Sequence, residues 1–236
     1  MKIILVLFLS VLVSFTHAAE KCDGASAPIF AEYKQLKNGK AVESFNFYRL
    51  SDQEVIYDYL DTNIAKYWFK TKNEQVKTSH LFHEFQRLIE YEAADLSGNS
   101  KATWEGKFTV LSKGFLSKLK KGQSNNACES TYAGNVKGVH WIVEWSEILN
   151  LPLSIIQTQD KHSVSLKMHH FSEGGKAVSA MKRRIGDYQS TDYADVGDNE
   201  SDPFLRKMIR LGFVKHGASG FYDSEGNQQS DHGHDH

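Results

Sequence analysis

The sequence predicts a mainly β (α+β) fold: a large curved antiparallel sheet, or a partly closed barrel, covered by two or three helices. Three observations predict it. The stretch from Phe30 to Tyr91 is a succession of strand-like runs broken by short polar turns. A second strand-rich stretch, 136–171, repeats the style. Apolar residues switch to a helical period over 104–120, 177–185 and 203–211.

The first eighteen residues read as a secretory leader. Lys2 is a short basic start, Ile3 to Val13 is apolar apart from Ser10, and Thr16-His17-Ala18 places small residues where a signal peptidase cuts. The apolar run is short for a bilayer span, so the mature chain is expected not to cross a membrane. Cys22 follows Ala19-Glu20-Lys21, which is not a lipid-attachment motif. One domain over 19–214 and a polar tail over 215–236 are expected, in a periplasmic or secreted compartment.

Composition narrows the class. The chain has 12% aromatic and 24% charged residues, which is globular rather than disordered. A formal net charge of −1 gives no global basic field, so nucleic acid is not an expected partner. The chain has 2 cysteines, Cys22 and Cys128. An even count in an exported chain suggests a disulfide, which would close a loop of about 100 residues. The alternatives are two free thiols or a metal or redox pair, and redox work is disfavoured because no Cys-x-x-Cys is present.

Strands are expected at 29–36, 42–50, 54–61, 64–70 and 76–91. Asn38-Gly39 marks a tight hairpin, since both residues tolerate the positive φ of a type I′ turn. The 42–50 run alternates imperfectly: Phe45 and Phe47 share their face with Glu43 and Arg49. Tyr67-Trp68-Phe69 places aromatics on both faces, as in a strand covered twice or lining a cavity. His80 and His83 fall on opposite faces of a strand, which argues against a shared metal.

Trp104, Phe108, Leu111, Phe115 and Leu119 recur at a helical period, flanked by Lys107, Lys113, Lys118, Lys120 and Lys121. A helix packed on the sheet with a solvated basic face accounts for this better than a helix lying in a membrane surface, because Gly106 and Gly114 weaken it and the core needs the aromatics. In 139–145, Val139, Trp141, Val143 and Trp145 face one way. Pro152 should break the ladder. A hairpin is expected around 159–162, with Val164, Leu166, Met168 and His170 on its apolar face and His169 opposite. Asp192, Asp195 and Asp198 lack the spacing of a calcium loop, so the acidic segment reads as solvated. Asp202 and Pro203 fit the cap and first turn of the last helix.

No nucleophile elbow, zinc-protease helix, P-loop or dinucleotide fingerprint is present, so no enzymatic activity is expected. The expected function is an exported binding or accessory protein that holds an apolar small molecule or a lipidated partner in a sheet concavity. That architecture is similar to periplasmic lipoprotein carriers at the level of fold analogy only. The candidate ligand-binding residues are Tyr57, Tyr59, Tyr67, Trp68, Phe69, Trp141 and Trp145. The alternative is a metal-handling accessory protein. There His232, His234 and His236 in the tail would take Zn, Cu or Ni, with His169 or His216 as recipients.

Overall fold

The computed structural model describes residues 22, 28–92, 104–122, 127–196 and 201–210. The expected leader, the tail and most of the linker before α1 lie outside them. The elements are β1 (Ile29–Lys37), β2 (Lys40–Ser51), β3 (Glu54–Tyr59), β4 (Ile64–Lys70), β5 (Val76–Phe82), β6 (Arg87–Tyr91), α1 (Trp104–Thr109), α2 (Lys113–Leu116), β7 (Lys120–Lys121), β8 (Glu129–Val136), β9 (Val139–Ser146), β10 (Leu151–Gln159), β11 (His162–Glu173), α3 (Gly175–Gly186), β12 (Gln189–Asp192) and α4 (Pro203–Arg210).

All the described strands belong to one sheet in the order β12-β6-β5-β4-β3-β2-β1-β11-β10-β9-β8-β7. Two antiparallel meanders, β1 to β6 and β7 to β11, lie side by side and join where β1 pairs with β11. The sheet is open, so the barrel alternative falls away. It is also mixed, because β12 pairs in parallel with β6. Curvature follows from packing. Trp68 on β4 and Trp141 on β9 belong to one core cluster. The cluster runs strand by strand between them, and a side chain bridges part of it: the Tyr33 hydroxyl of β1 donates to the Pro152 carbonyl of β10, two strands away, at 2.8 Å, so the sheet curls toward that cluster.

The hairpin at Asn38-Gly39 has both residues at positive φ, 50° and 79°, as a type I′ turn requires. Lys137-Gly138 repeats the geometry at 51° and 80°. Several expectations need correction. The single 76–91 strand is two strands, turned at 83–86 with Gln86 at φ 50°. The 104–120 helix is two short helices. Val110 takes φ 66°, a costly conformation for a β-branched residue, and Ser112 then caps α2 by accepting from the Phe115 amide at 3.0 Å. Pro152 lies inside β10, tolerated because the register shifts between Pro152 and Ser154. A bulge in the β1–β11 pairing between Glu32 and Tyr33 moves His170 off the apolar face. His170 is exposed and meets the Phe30 ring edge-on.

Three apolar clusters divide the two faces. The concave face over β1–β4 and β8–β11 packs beneath α1 and α2. Further along that face, Phe82, Ile89 and Tyr91 pack beneath Phe204, Leu205 and Met208 of α4. On the convex face Tyr48, Leu50, Ile56, Ala65 and Leu81 pack beneath Val178 and Met181 of α3. Asp202 caps α4 by accepting from the Phe204 amide at 2.8 Å, and it meets Arg87 at 2.9 Å.

Three long-range ties hold these layers. The Cys22–Cys128 disulfide joins the N-terminal arm to the start of β8 across 106 residues. Arg49, 1% exposed, donates to the carbonyls of Leu149 (3.0 Å), Phe108 (3.0 Å) and Asn150 (3.3 Å), and its guanidinium lies 4.2 Å from the centre of the Phe108 ring. On the convex side His83 sits between Asp58 (Nε2–Oδ1 3.0 Å) and the Tyr188 hydroxyl (Nδ1–Oη 2.8 Å), just beyond the end of α3.

The His83 and Asp58 side chains are 1% and 5% exposed. Removing the imidazole leaves the buried Asp58 carboxylate with only the longer Arg184 contact at 3.9 Å, the costly way to break a buried pair. Replacing His83 with Leu should therefore lower unfolding free energy by about 3 kcal/mol. Adding Asp58→Asn to it should recover part of that loss. Denaturant titration of the two variants measures both. Cys128→Ser should cost roughly 4–5 kcal/mol, the chain-entropy value for so long a loop, in the same assay.

Candidate functional site

The concave face between its two helical covers is the part of the molecule built least like a core. One cross-strand row runs Phe47–Tyr57–Lys66–His80–Ile89 over β2 to β6. It leaves the α1–α2 cluster at Tyr57 and enters the α4 cluster at Ile89. Lys66 and His80 lie between and belong to neither. The rows on either side are Arg49–Val55–Trp68–Thr78–Tyr91 and Phe45–Tyr59–Ile64–Phe82–Arg87. Glu43 lies one face position beyond Phe45, directly opposite Gln35 of β1.

Aromatic rings make most of this surface. Phe45 stacks on Tyr33 at 5.1 Å and meets Tyr57 and Tyr59 at 5.6 and 5.7 Å. Phe47 meets Tyr57 edge-on at 5.2 Å. The Tyr57 hydroxyl donates to the Lys107 carbonyl at 2.7 Å, and the Lys107 ammonium lies 4.4 Å from the Trp68 ring centre. One turn of α1 thus fastens to both β3 and β4. The Lys66 ammonium stands 5.7 Å from the Tyr59 ring centre, and His80 packs on Tyr91 at 4.7 Å.

Burial sets the electrostatics. It lowers the Lys66 ammonium pKa, with Glu43 acting in the opposite direction. Burial raises the Glu43 carboxyl, and Lys66 partly offsets it. His80 is pushed down to about 3, first by burial and then by the positive charge of Lys66. It is therefore a neutral imidazole at physiological pH. Burial also raises the phenols of Tyr57 and Tyr59, which stay protonated. Arg49 is pulled down by burial to about 10 and remains cationic at neutral pH. The surface is aromatic and amphipathic, with one cation, one carboxyl and one neutral imidazole on three different strands.

The structure separates the seven expected ligand residues. Tyr57, Tyr59 and Trp68 share the concave face near Lys66. Trp141 and Trp145 share that face but are 1% exposed, and Trp141 packs on Phe115 of α2 at 4.4 Å. They are the floor of the covered core. Tyr67 and Phe69 point to the convex face, where Tyr67 packs with the α3 cluster and donates to Glu54. Lys66 was not singled out by sequence reasoning, Glu43 appeared only as a break in the β2 alternation, and His80 only as a metal ligand that strand parity argued against. Their signal was the interrupted alternation of β2 and the Lys66–Trp68 phase of β4.

His232, His234, His236 and His216 lie outside the described residues. His169 is exposed on β11. Among the described residues no group of three or more His, Cys, Asp or Glu side chains could hold a metal ion. A cleft beside α4, lined by Ile64, Phe82, Phe85, Met208, Glu84 and Lys207 among others, holds about 100 Å³. That is well below the roughly 300–1,000 Å³ of a drug-sized ligand site.

No family model and no curated protein matches the chain. Among solved structures it is similar to PNGF-II in two crystal forms. The C2 form gives a TM-score of 0.39 at 9% identity, covering 78% of this chain and 33% of that one. The P21 form gives 0.41 at 11% identity, covering 73% and 33%. The chain thus spans about a third of the length of those structures. Likenesses this loose carry no argument about function.

Stability should report the His80 environment. The folded pKa lies below the unfolded value of about 6.5, so the unfolded state binds the extra proton as pH falls. This contribution is intact above about pH 6.5 and is lost from there down toward pH 3, by up to about 1.4 kcal/mol per pH unit. Urea unfolding between pH 7 and pH 4 should show a shallower slope for His80→Phe than for the parent. Equal slopes would show that His80 is not buried as a neutral group.

Proposed function

We propose that the protein is an exported, non-enzymatic binding protein that holds an apolar ligand, or the acyl chain of a lipidated partner, on the concave face of its sheet. The observation that carries this reading is the Phe47–Tyr57–Lys66–His80–Ile89 row. A core would place apolar groups at its middle positions, since desolvating a lysine costs free energy; Lys66 instead keeps its charge there, beside the Tyr59 ring and under the influence of Glu43. Here the aromatic surface of Tyr57, Tyr59 and Trp68 runs up to an ammonium, as suits a ligand with a long apolar body and a polar end.

The disulfide supports an oxidising, extracellular-type compartment. No described helix is long and apolar enough to cross a membrane. Together with the leader-like start of the sequence, these support a periplasmic or secreted location. The supply of apolar molecules to an aqueous compartment is a task that needs no catalytic group.

Binding of a fluorescent long-chain fatty acid to the mature protein tests the reading. Tyr59→Ser should weaken binding roughly tenfold, as expected for losing most of one aromatic contact, while the protein stays folded by near-UV circular dichroism. Trp141→Ala should behave differently, lowering stability by about 3–5 kcal/mol because it empties a packed core. Absence of probe binding, or loss of binding only in step with unfolding, would make the concave face a packed interior and end the proposal.

A further inference from the structure

We propose that the corner where α2 runs into β7 is a docking surface for a bilayer of anionic lipid headgroups. This goes beyond the ligand reading and stands on separate residues. Between 113 and 122 the chain reads Lys-Gly-Phe-Leu-Ser-Lys-Leu-Lys-Lys-Gly. Lys113, Lys118, Lys120 and Lys121 are all exposed and no acidic residue interrupts them, in a chain whose net charge is −1.

These lysines stand on fixed backbone. Phe115, Leu116 and Leu119 are buried beneath them. Ser112 caps α2. Lys120 and Lys121 pair in register with Ala133 and Tyr132. Among the described residues the local countercharge is small. Glu147 meets Lys121 at 3.2 Å. Burial opposes its charge, yet hydrogen bonds from Ser130 and Lys121 hold its carboxyl below the ordinary value. Lys113 and Lys120 have no carboxylate within 4 Å among the described residues. Beside Glu147, Ile148 is an exposed apolar side chain.

Lysines on an edge strand also prevent unwanted strand addition. That accounts for Lys120 and Lys121 but not for Lys113 on α2, nor for the charge of Lys118, whose ammonium lies 5.6 Å from the Phe115 ring centre. Ammonium groups spread over a helix and a strand edge match diffuse surface charge better than one compact anion. A lysine within a Debye length of an anionic leaflet gains about fivefold in partitioning. Ile148 supplies an apolar contact for the interface. The same α2 covers the concave core, so a bilayer docked here lies against the cover of the apolar face.

Co-sedimentation of the full mature chain with vesicles tests this. One set is pure phosphatidylcholine and the other contains one-third phosphatidylglycerol. Binding is expected to the anionic vesicles only and should weaken as salt rises. Combining Lys113→Gln, Lys118→Gln and Lys120→Gln should lower it on the order of 100-fold, at about fivefold per lysine. The control combines Lys34→Gln, Lys72→Gln and Lys161→Gln, which are exposed elsewhere and remove the same charge. It should retain most of the binding. Fatty-acid binding should be unchanged in both, which separates this inference from the ligand reading. Binding to neither vesicle, equal binding to both, or equal loss in the two triple variants would overturn it. So would binding to polyglutamate but not to vesicles, which would assign the surface to an acidic protein.

Discussion

A single sheet of twelve strands must hide an apolar face from water, and its few short helices set how that is done. The described helices α1 and α2 span only six and four residues. They cannot tile a flat sheet of this width, at about 4.8 Å per strand. Curling lets those short helices close most of a core that runs continuously from β4 to β9. Much else follows from that constraint. Arg49 fastens α1 and the β9–β10 turn to the centre of the sheet, and the disulfide pins the arm before β1 to the start of β8. The helix α4 covers the far strands separately. Between these covers the residues turn amphipathic.

Much of the architecture was legible in local pattern. Period-two alternation found the strands from β1 to β5 and β9 to β11. The Asn38-Gly39 and Asp202-Pro203 signals located a hairpin and a helix start, because those residue types answer a backbone demand directly. The two cysteines gave the bond that the structure contains. What failed was local pattern where tertiary contacts overrule it. Residues 104–119 keep a helical period through Val110, yet the chain breaks there so that Phe108 can lie on Arg49 while Phe115 reaches Trp141. β12 was read as acidic loop because its Gln-Ser-Thr-Asp has no apolar alternation. It is an edge strand with nothing to bury, held by backbone pairing to β6.

The site was visible as an irregularity and not as a motif. Glu43 and Arg49 spoiled the alternation of β2, and each has a distinct explanation. Arg49 is absorbed by three carbonyls from segments about 60 and 100 residues away, a pairing that no local window reveals. Glu43 faces Lys66 across two strands at the amphipathic strip. The Asp58–His83–Tyr188 tie was hidden for the same reason: its members are 25 and 105 residues apart. Reading the aromatics as a set was less successful, because strand parity sends Tyr67 and Phe69 to the convex side while Trp68 goes inward.

The distribution of cations on the concave side separates structure from use. Arg49 is planar and rich in donors, and it sits where several carbonyls converge, which suits a permanent fastening. Lys66 and Lys107 place point charges beside aromatic rings, at 5.7 Å from Tyr59 and 4.4 Å from Trp68. Such contacts are individually weak and adjustable. Arg49 thus holds α1 to the sheet centre, while on its other side the Tyr57 hydroxyl bonds the Lys107 carbonyl at 2.7 Å and the Lys107 ammonium lies beside Trp68; Lys66 belongs to the sheet and fastens no cover, so its charge is left to the amphipathic row.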